Sequence, residues 1–240
     1  ELCEDLAKLG CKNVCLMGGE PFLREDWCEI SKAIKDSSME VSFVSNGMFI
    51  DKVLKKLAKM EPIVVGISID GAEKVHDYIR GRGSYKKAVD SLKLLKSANI
   101  ETTVITAVSK MNFKELPKIR DLLLGREIGW QIQIAKPMGR FERKHHISKK
   151  EFYAVGLFIE NCKMKHKFND LPIIGAHDIG YHPRFMPWYI SWDGCTGGIT
   201  SVGIASNGDI LPCLSLRDKQ FVEGNVKERS LVEIWNDENC

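Results

Sequence analysis

Asn13-Val14-Cys15-Leu16-Met17-Gly18-Gly19-Glu20-Pro21 is the stretch on which the fold turns. Four uncharged residues before the glycines read as a short buried strand. Gly18 and Gly19 free the backbone at its C-terminal end, where no Cβ obstructs an approaching ligand. Pro21 holds the preceding residue extended and supplies no N–H. Glu20 therefore sits at the mouth of an apolar strand, where an unpaired carboxylate costs several kcal/mol and calls for a cation or several N–H donors. A turn whose glutamate reaches water is the plain alternative.

Working outward, residues 1–9 read as a helix with Leu2, Leu6 and Leu9 on one face and Gly10 as its stop. Trp27, Ile30 and Ile34 mark the next helix, and residues 41–44 a strand ending at Ser45-Asn46-Gly47. Val53, Leu57 and Met60 keep helical spacing, and residues 63–69 form a third strand closing at Asp70-Gly71. A helix through Tyr85, Ala88, Leu92 and Leu95 precedes a β-branched strand over 102–108. Leu116, Ile119 and Leu122 then lead to a fifth strand over 130–135, ending in Lys136-Pro137-Met138-Gly139-Arg140. Five alternations predict an α/β fold of right-handed βαβ units around a parallel sheet. Every strand ends in small or polar residues, and ligands of such sheets gather at those ends. No G-x-G-x-x-G opens a helix, which argues against a Rossmann dinucleotide domain.

Beyond the fifth strand, Ser148 and Glu151 stand in capping-box spacing before a helix with Phe152, Val155, Ile159 and Cys162 on its apolar face. The pattern lapses over 170–194, where Pro172, Pro183, Pro187, Trp188, Tyr189 and Trp192 suggest a long irregular connection. The character then turns to β. Apolar runs flank Asn207-Gly208, a hairpin signal, and Ser230 with Glu233 opens a short closing helix. The domain boundary is expected between 170 and 190, giving parts 1–170 and 190–240.

The chain of 240 residues carries a net charge of +3, too little to imply nucleic acid. Lys55-Lys56, Lys149-Lys150 and the lysines of 163–167 read as solvated faces. No apolar run approaches the ~18 residues of a membrane span, so no membrane partner is expected. The sequence starts at Glu1, so the natural N-terminus is expected to lie upstream. Eight scattered cysteines, at 3, 11, 15, 28, 162, 195, 213 and 240, suit thiols or metal ligands in a reducing cytoplasm better than a disulfide framework.

Gly18-Gly19-Glu20-Pro21 followed by Phe22-Leu23-Arg24 resembles the glycine-rich motif of the radical S-adenosylmethionine (radical SAM) enzymes. Ser68-Ile69-Asp70-Gly71, His76-Asp77 and Arg80-Gly81 resemble that family's fourth-strand region, and Asn46 the Asn-Gly closing its third. The resemblance implies that Gly18, Gly19, Glu20, Pro21, Asn46, Ser68, Asp70 and Arg80 bind the cofactor. Glu20 and the glycine backbone would take its ammonium end, Ser68 and Arg80 its carboxylate. Guanidinium pairing bidentately with carboxylate agrees with that assignment. A loop arginine, an Asx turn at Asp70 and a plain turn at Asn46 remain the alternatives. Further on, Cys195-Thr196-Gly197-Gly198, Asn207-Gly208-Asp209, Pro212-Cys213, Gly224-Asn225 and Ile234-Trp235 resemble the start of a SPASM or twitch domain. There Cys195 and Cys213 would ligate an auxiliary 4Fe–4S cluster, for which thiolates on a hairpin are suited; two buried structural cysteines are the alternative. Cys240 falls earlier than the family's next ligand should.

The family's CxxxCxxC is absent from the sequence. Cys11 and Cys15 have its first interval, but Gly18 takes the third place, and both are expected in the core. The resemblance therefore implies a partial (β/α)6 barrel whose first strand and catalytic 4Fe–4S ligands lie upstream, followed by a small hairpin-containing SPASM/twitch domain. It implies a radical SAM oxidoreductase that forms a deoxyadenosyl radical to modify a peptide or small protein, fed by a donor such as flavodoxin or ferredoxin. The 240-residue chain alone should be inactive. Alternatives are an inactive SAM- or peptide-binding scaffold, and an anaerobic sulfatase-maturase-like or cofactor-biosynthesis enzyme. A Schiff-base aldolase ranks last, since only Lys136 stands at a strand end.

Overall fold

A computed structural model describes residues 1–136, 141–180 and 195–237. Chain order runs α1 (Leu2–Lys8), β1 (Asn13–Leu16), α2 (Trp27–Asp36), β2 (Glu40–Ser45), α3 (Ile50–Lys59), β3 (Val64–Ser68), α4 (Glu73–Arg80) and α5 (Ser84–Ser97). It continues with β4 (Thr102–Val108), α6 (Leu116–Leu123), β5 (Gly129–Ile134), α7 (Lys149–Lys165) and β6 (Ile173–Gly175). A second β region holds β7 (Gly203–Ile204), β8 (Asp209–Leu211) and β9 (Gly224–Asn225), closed by α8 (Leu231–Trp235).

Six strands form one sheet in sequence order, and β2 through β6 pair in parallel. Helices between consecutive strands make this the expected partial α/β barrel. The sixth strand goes beyond the sequence expectation: residues 173–175 fall where the pattern lapses, and they pair with Trp130, Gln131 and Ile132 of β5. Residues 137–140 and 181–194, with Pro183, Pro187, Trp188, Tyr189 and Trp192, lie outside the described residues, as does Cys240.

The chain divides into two compact units. One comprises Cys15–Cys28 and 42–192, the other Glu1–Val14, Glu29–Val41 and 193–240. In the first, Phe43, Ile67, Ile69, Trp130, Ile132, Leu95, Ile119, Leu123 and Ile159 are fully buried between sheet and helices. Trp130 donates its indole N–H to Thr106 Oγ1 at 2.9 Å, and Thr106 donates in turn to the Ile69 carbonyl at 2.7 Å. The indole N–H and the Thr106 hydroxyl are thereby satisfied. Phe22, Trp27 and Phe43 pack ring to ring, with centroids 5.1 to 5.9 Å apart.

In the second unit α1 packs on α8, and buried Asp5 accepts the Leu231 N–H at 3.0 Å. Strands β7, β8 and β9 form an antiparallel sheet whose first hairpin turns at Asn207-Gly208. Both expected capping boxes form, Ser148 with Glu151 and Ser230 with Glu233.

One expectation fails at the opening stretch. β1 is the first strand in the sheet order, and its side chains alternate between exposed and half-buried. Cys15 is exposed and Cys11 half-buried, so neither is a core cysteine. A short uncharged run marks a strand but does not say how much of it the other described residues cover.

Candidate functional site

Gly18 has φ +135°, a conformation that side chains rarely adopt, and no atom lies within 4 Å of a Cβ placed on Gly18 or Gly19. The backbone after β1 is thus bare. Glu20 follows in extended conformation and caps the short 3-10 turn Pro21–Leu23, its carboxylate accepting the Phe22 N–H at 3.4 Å. The same carboxylate accepts the Ser45 hydroxyl at 2.9 Å and the Asn46 N–H at 2.7 Å. Three donors hold the charge and tie the end of β1 to the end of β2. Asn46 spends its own side-chain oxygen on the Met48 N–H at 2.8 Å, an Asx turn.

The end of β3 is built around Asp70, which is 2% exposed. One carboxylate oxygen accepts the Ala107 N–H at 2.9 Å, and the other accepts Arg80 Nε–H at 2.5 Å. The Asp70 N–H donates to His76 Nδ1 at 3.1 Å, and its carbonyl accepts from Asn112 Nδ2 at 2.8 Å. Asp70 is consumed within the protein, and its effect is to fix Arg80. That arginine closes α4, a helix that sequence spacing did not reveal. Its Nη groups have no protein partner among the described residues. Together with Asn46, Met48, Ile79 and Ser84 it lines a cavity of about 270 Å³. Ser68, 8% exposed, ends β3 just before this cluster.

Two neighbours of the cluster were not foreseen in these roles. His76 is fully buried, and burial pushes its pKa down to about 4, against the opposing pull of Asp70. Asp77 accepts the Gly83 N–H at 2.6 Å and the Tyr85 N–H at 2.8 Å. It thereby caps α5 from α4, and these backbone bonds hold its carboxyl below the usual range. Only the juxtaposition of His-Asp with the Gly81–Gly83 turn hinted at either.

In the second β region Cys195 is exposed and Cys213 half-buried. A Cβ on Gly197 would meet Cys195 Sγ at 3.5 Å and the Pro212 carbonyl at 3.1 Å. The loop bearing Cys195 therefore folds against the strand end bearing Cys213. Cys213 Sγ accepts the Ser215 N–H at 3.4 Å. No group of three or more His, Cys, Asp or Glu side chains gathers among the described residues.

These features define a parallel α/β sheet protein with a small polar cavity at the C-terminal ends of its strands, followed by a β region carrying two free cysteines. Residues 1–123 match the radical SAM superfamily, over half the chain, and the chain belongs to that superfamily. Residues 195–240 match SPASM, an iron–sulfur cluster-binding domain. The chain is 32% identical to an Fe-coproporphyrin III synthase and 24% identical to an AdoMet-dependent heme synthase, both of Methanosarcina barkeri, over 98% and 97% of its residues. It is 30% identical over 96% to the sporulation killing factor maturation protein SkfB of Bacillus subtilis. It spans 64%, 70% and 55% of those three relatives, in that order. Streptococcus suis SuiB bound to S-adenosylmethionine superposes on 99% of the chain and 57% of its own, with TM-score 0.80 at 18% identity. SuiB bound to precursor peptide SuiA does so over 99% and 58%, with TM-score 0.77 at 18% identity. At that identity the likeness speaks for the fold alone.

The superfamily's cofactors are SAM and a 4Fe–4S cluster, and the SPASM domain binds auxiliary iron–sulfur clusters. The bare glycine backbone and the cavity beside Arg80 fit SAM. Cys195 on a loop folded against Pro212, next to Cys213, fits part of an auxiliary ligand set. The catalytic cluster finds no cysteine trio at the required spacing in these 240 residues, so its ligands are not among them.

Proposed function

We propose that the protein containing this chain is a radical SAM enzyme that modifies a peptide or small protein. One observation carries the reading: Glu20, just after β1, accepts from Ser45 and Asn46 at the end of β2, Asp70, just after β3, holds Arg80 at the end of α4, and Asn46 and Arg80 line one cavity. A fixed anion and a fixed cation, both preorganised by the protein, suit a zwitterion. In this assignment Glu20 and the Gly18-Gly19 backbone take the ammonium group of SAM, with Pro21 holding Glu20 in place. Ser68 and Arg80 take its carboxylate, Asp70 positions Arg80, and Asn46 forms the cavity wall. Held by these residues, SAM would supply radical chemistry for removing hydrogen from substrate. No side chain of this chain acts as a base at that step; its residues orient and exclude water. Cys195 and Cys213 hold part of an auxiliary 4Fe–4S cluster, and a cytoplasmic flavodoxin or ferredoxin delivers electrons.

A peptide substrate is supported by SkfB, named for maturing a killing factor, and by SuiB, captured with a precursor peptide. A second reading, tetrapyrrole synthesis, is favoured by the two Methanosarcina synthases, which match nearly the whole chain. The test is anaerobic reconstitution of the full-length protein with iron and sulfide, then SAM and dithionite, with deoxyadenosine followed by chromatography. Turnover is expected, reduced at least a hundredfold in Arg80→Ala. No deoxyadenosine from the native protein, or an equal yield from the variant, sinks the reading. Mass spectrometry for a changed mass, with a precursor peptide in one arm and an iron tetrapyrrole in the other, separates the two substrates.

A further inference from the structure

The loop after β4 and the start of α7 meet on the surface. The Lys110 N–H donates to the His145 carbonyl at 2.9 Å, docking the turn Arg143–His145 against the loop that leaves β4 at its C-terminal end. Lys110, Lys114, Arg143, Lys149 and Lys150 are all exposed, and none has an ion-pair partner among the described residues. The nearby acids are already committed. Glu142 pairs with Lys144 at 2.9 Å, Glu115 with Lys118 at 2.8 Å, and Glu151 accepts the Ser148 N–H at 2.6 Å to cap α7. The carboxyl of Glu151 is held below its usual range first by the Ser148 bonds and in smaller part by Lys110 and Lys114. The lysines of the β4 loop thus lie close to the first turn of α7. There Lys149 and Lys150 oppose the helix dipole, an arrangement that costs helix stability and favours an anion nearby. Five exposed cations on three adjoining segments, with Glu151 as the acid that acts on two of them, therefore make this surface basic beside the C-terminal end of β4.

We infer that this basic rim is the docking surface for an acidic segment of the peptide substrate, an inference that rests on the peptide reading above. Charge complementarity of this kind steers encounter and sets register. Nucleic acid fits less well, because the five cations form one patch rather than a track for a phosphate backbone, and the chain is nearly neutral overall. A tetrapyrrole fits less well too. Its flat apolar ring needs a slot, and neither cavity described in the structure is lined by any of the five cations.

The test uses full-length protein and a fluorescein-labelled octaglutamate peptide, read by fluorescence anisotropy. Octaglutamate should bind, weakening at least tenfold between 50 and 300 mM NaCl on the order expected for several released counterions. The variant Lys110→Glu/Lys114→Glu/Lys149→Glu should weaken binding at least tenfold, and the milder Lys→Gln triple variant, which does not threaten folding, by an intermediate factor. Unchanged binding in both variants, or no binding by the native protein, overturns the inference. So does displacement of the probe at lower concentration by oligo-dT or by coproporphyrin III. Substrate-independent deoxyadenosine formation should be the same in native and triple-variant protein. If the native protein forms none, the catalytic reading fails by itself; if it does and octaglutamate does not bind, only the docking surface fails.

Discussion

Arg80 is fixed through one nitrogen, its Nε–H on Asp70, while the rest of the guanidinium faces the cavity. A lysine at this position keeps the charge but cannot hold Asp70 and reach a ligand at once. Arg80→Lys is expected to weaken SAM binding at least tenfold by equilibrium dialysis, while Asp70→Asn lowers stability by about 2 kcal/mol in urea unfolding. His76 gives a pH dependence. Its folded pKa lies near 4 against 6.5 for the free side chain, so between those values only the unfolded chain takes up the proton. Stability is full above pH 6.5 and falls through that window by about 3 kcal/mol at most. Unfolding at pH 7.5 and 5 measures the slope, which His76→Asn should flatten. Asp178 behaves in the opposite sense. It accepts the Ile134 N–H at 2.8 Å, its second oxygen is buried without a partner among the described residues, and burial raises its carboxyl above the usual range. Its contribution is favourable when protonated and is lost as pH rises through that raised value. Asp178→Asn keeps an acceptor for Ile134, so it should melt above the native protein at pH 8, the gap closing as the pH is lowered through the carboxylate range. The demand of Glu20 for donors was legible because a charge beside an apolar strand end must be compensated. His76 and Asp178 were not, because their burial depends on packing against sequence-distant segments.

Elements with strong periodicity or capping signals were legible to within a residue or two, as at β4 and α7. The two missed in the sheet region were short. α4 offers only Val75 and Ile79 as an apolar pair among charged and aromatic residues, too little for a 3.6-residue period. β6 is three residues long, and its pairing partner lies some 40 residues earlier. The omission of α4 mattered for function, because this helix turns the ten-residue interval between Asp70 and Arg80 into a direct ion pair. In α8, Ser230 Oγ accepts the Glu233 N–H at 3.2 Å and the Glu233 carboxylate accepts the Ser230 N–H at 3.0 Å. Ser230→Ala should lower stability by about 1 kcal/mol, read by thermal or urea unfolding.

Across the whole molecule, the proposed auxiliary ligand pair depends on the close approach of the Cys195 loop to Pro212 at Gly197. Gly197→Ala places a methyl against the Pro212 carbonyl and Cys195 Sγ, so the loop must shift by a few tenths of an ångström. Iron and sulfide content per chain should fall while far-ultraviolet circular dichroism stays unchanged, and equal loading would speak against cluster ligation there. The Asp5–Leu231 bond joins residues 226 positions apart, and α1 packs on α8 in a unit assembled from three separated stretches. At ribosomal speeds of about 5–20 residues per second, α1 leaves the exit tunnel on the order of ten to fifty seconds before its partner is synthesised. Until then its apolar face and the Asp5 carboxylate lack their α8 partner, so this unit completes only once residues 193–240 are made, and a chaperone that shields nascent helices has that interval in which to act.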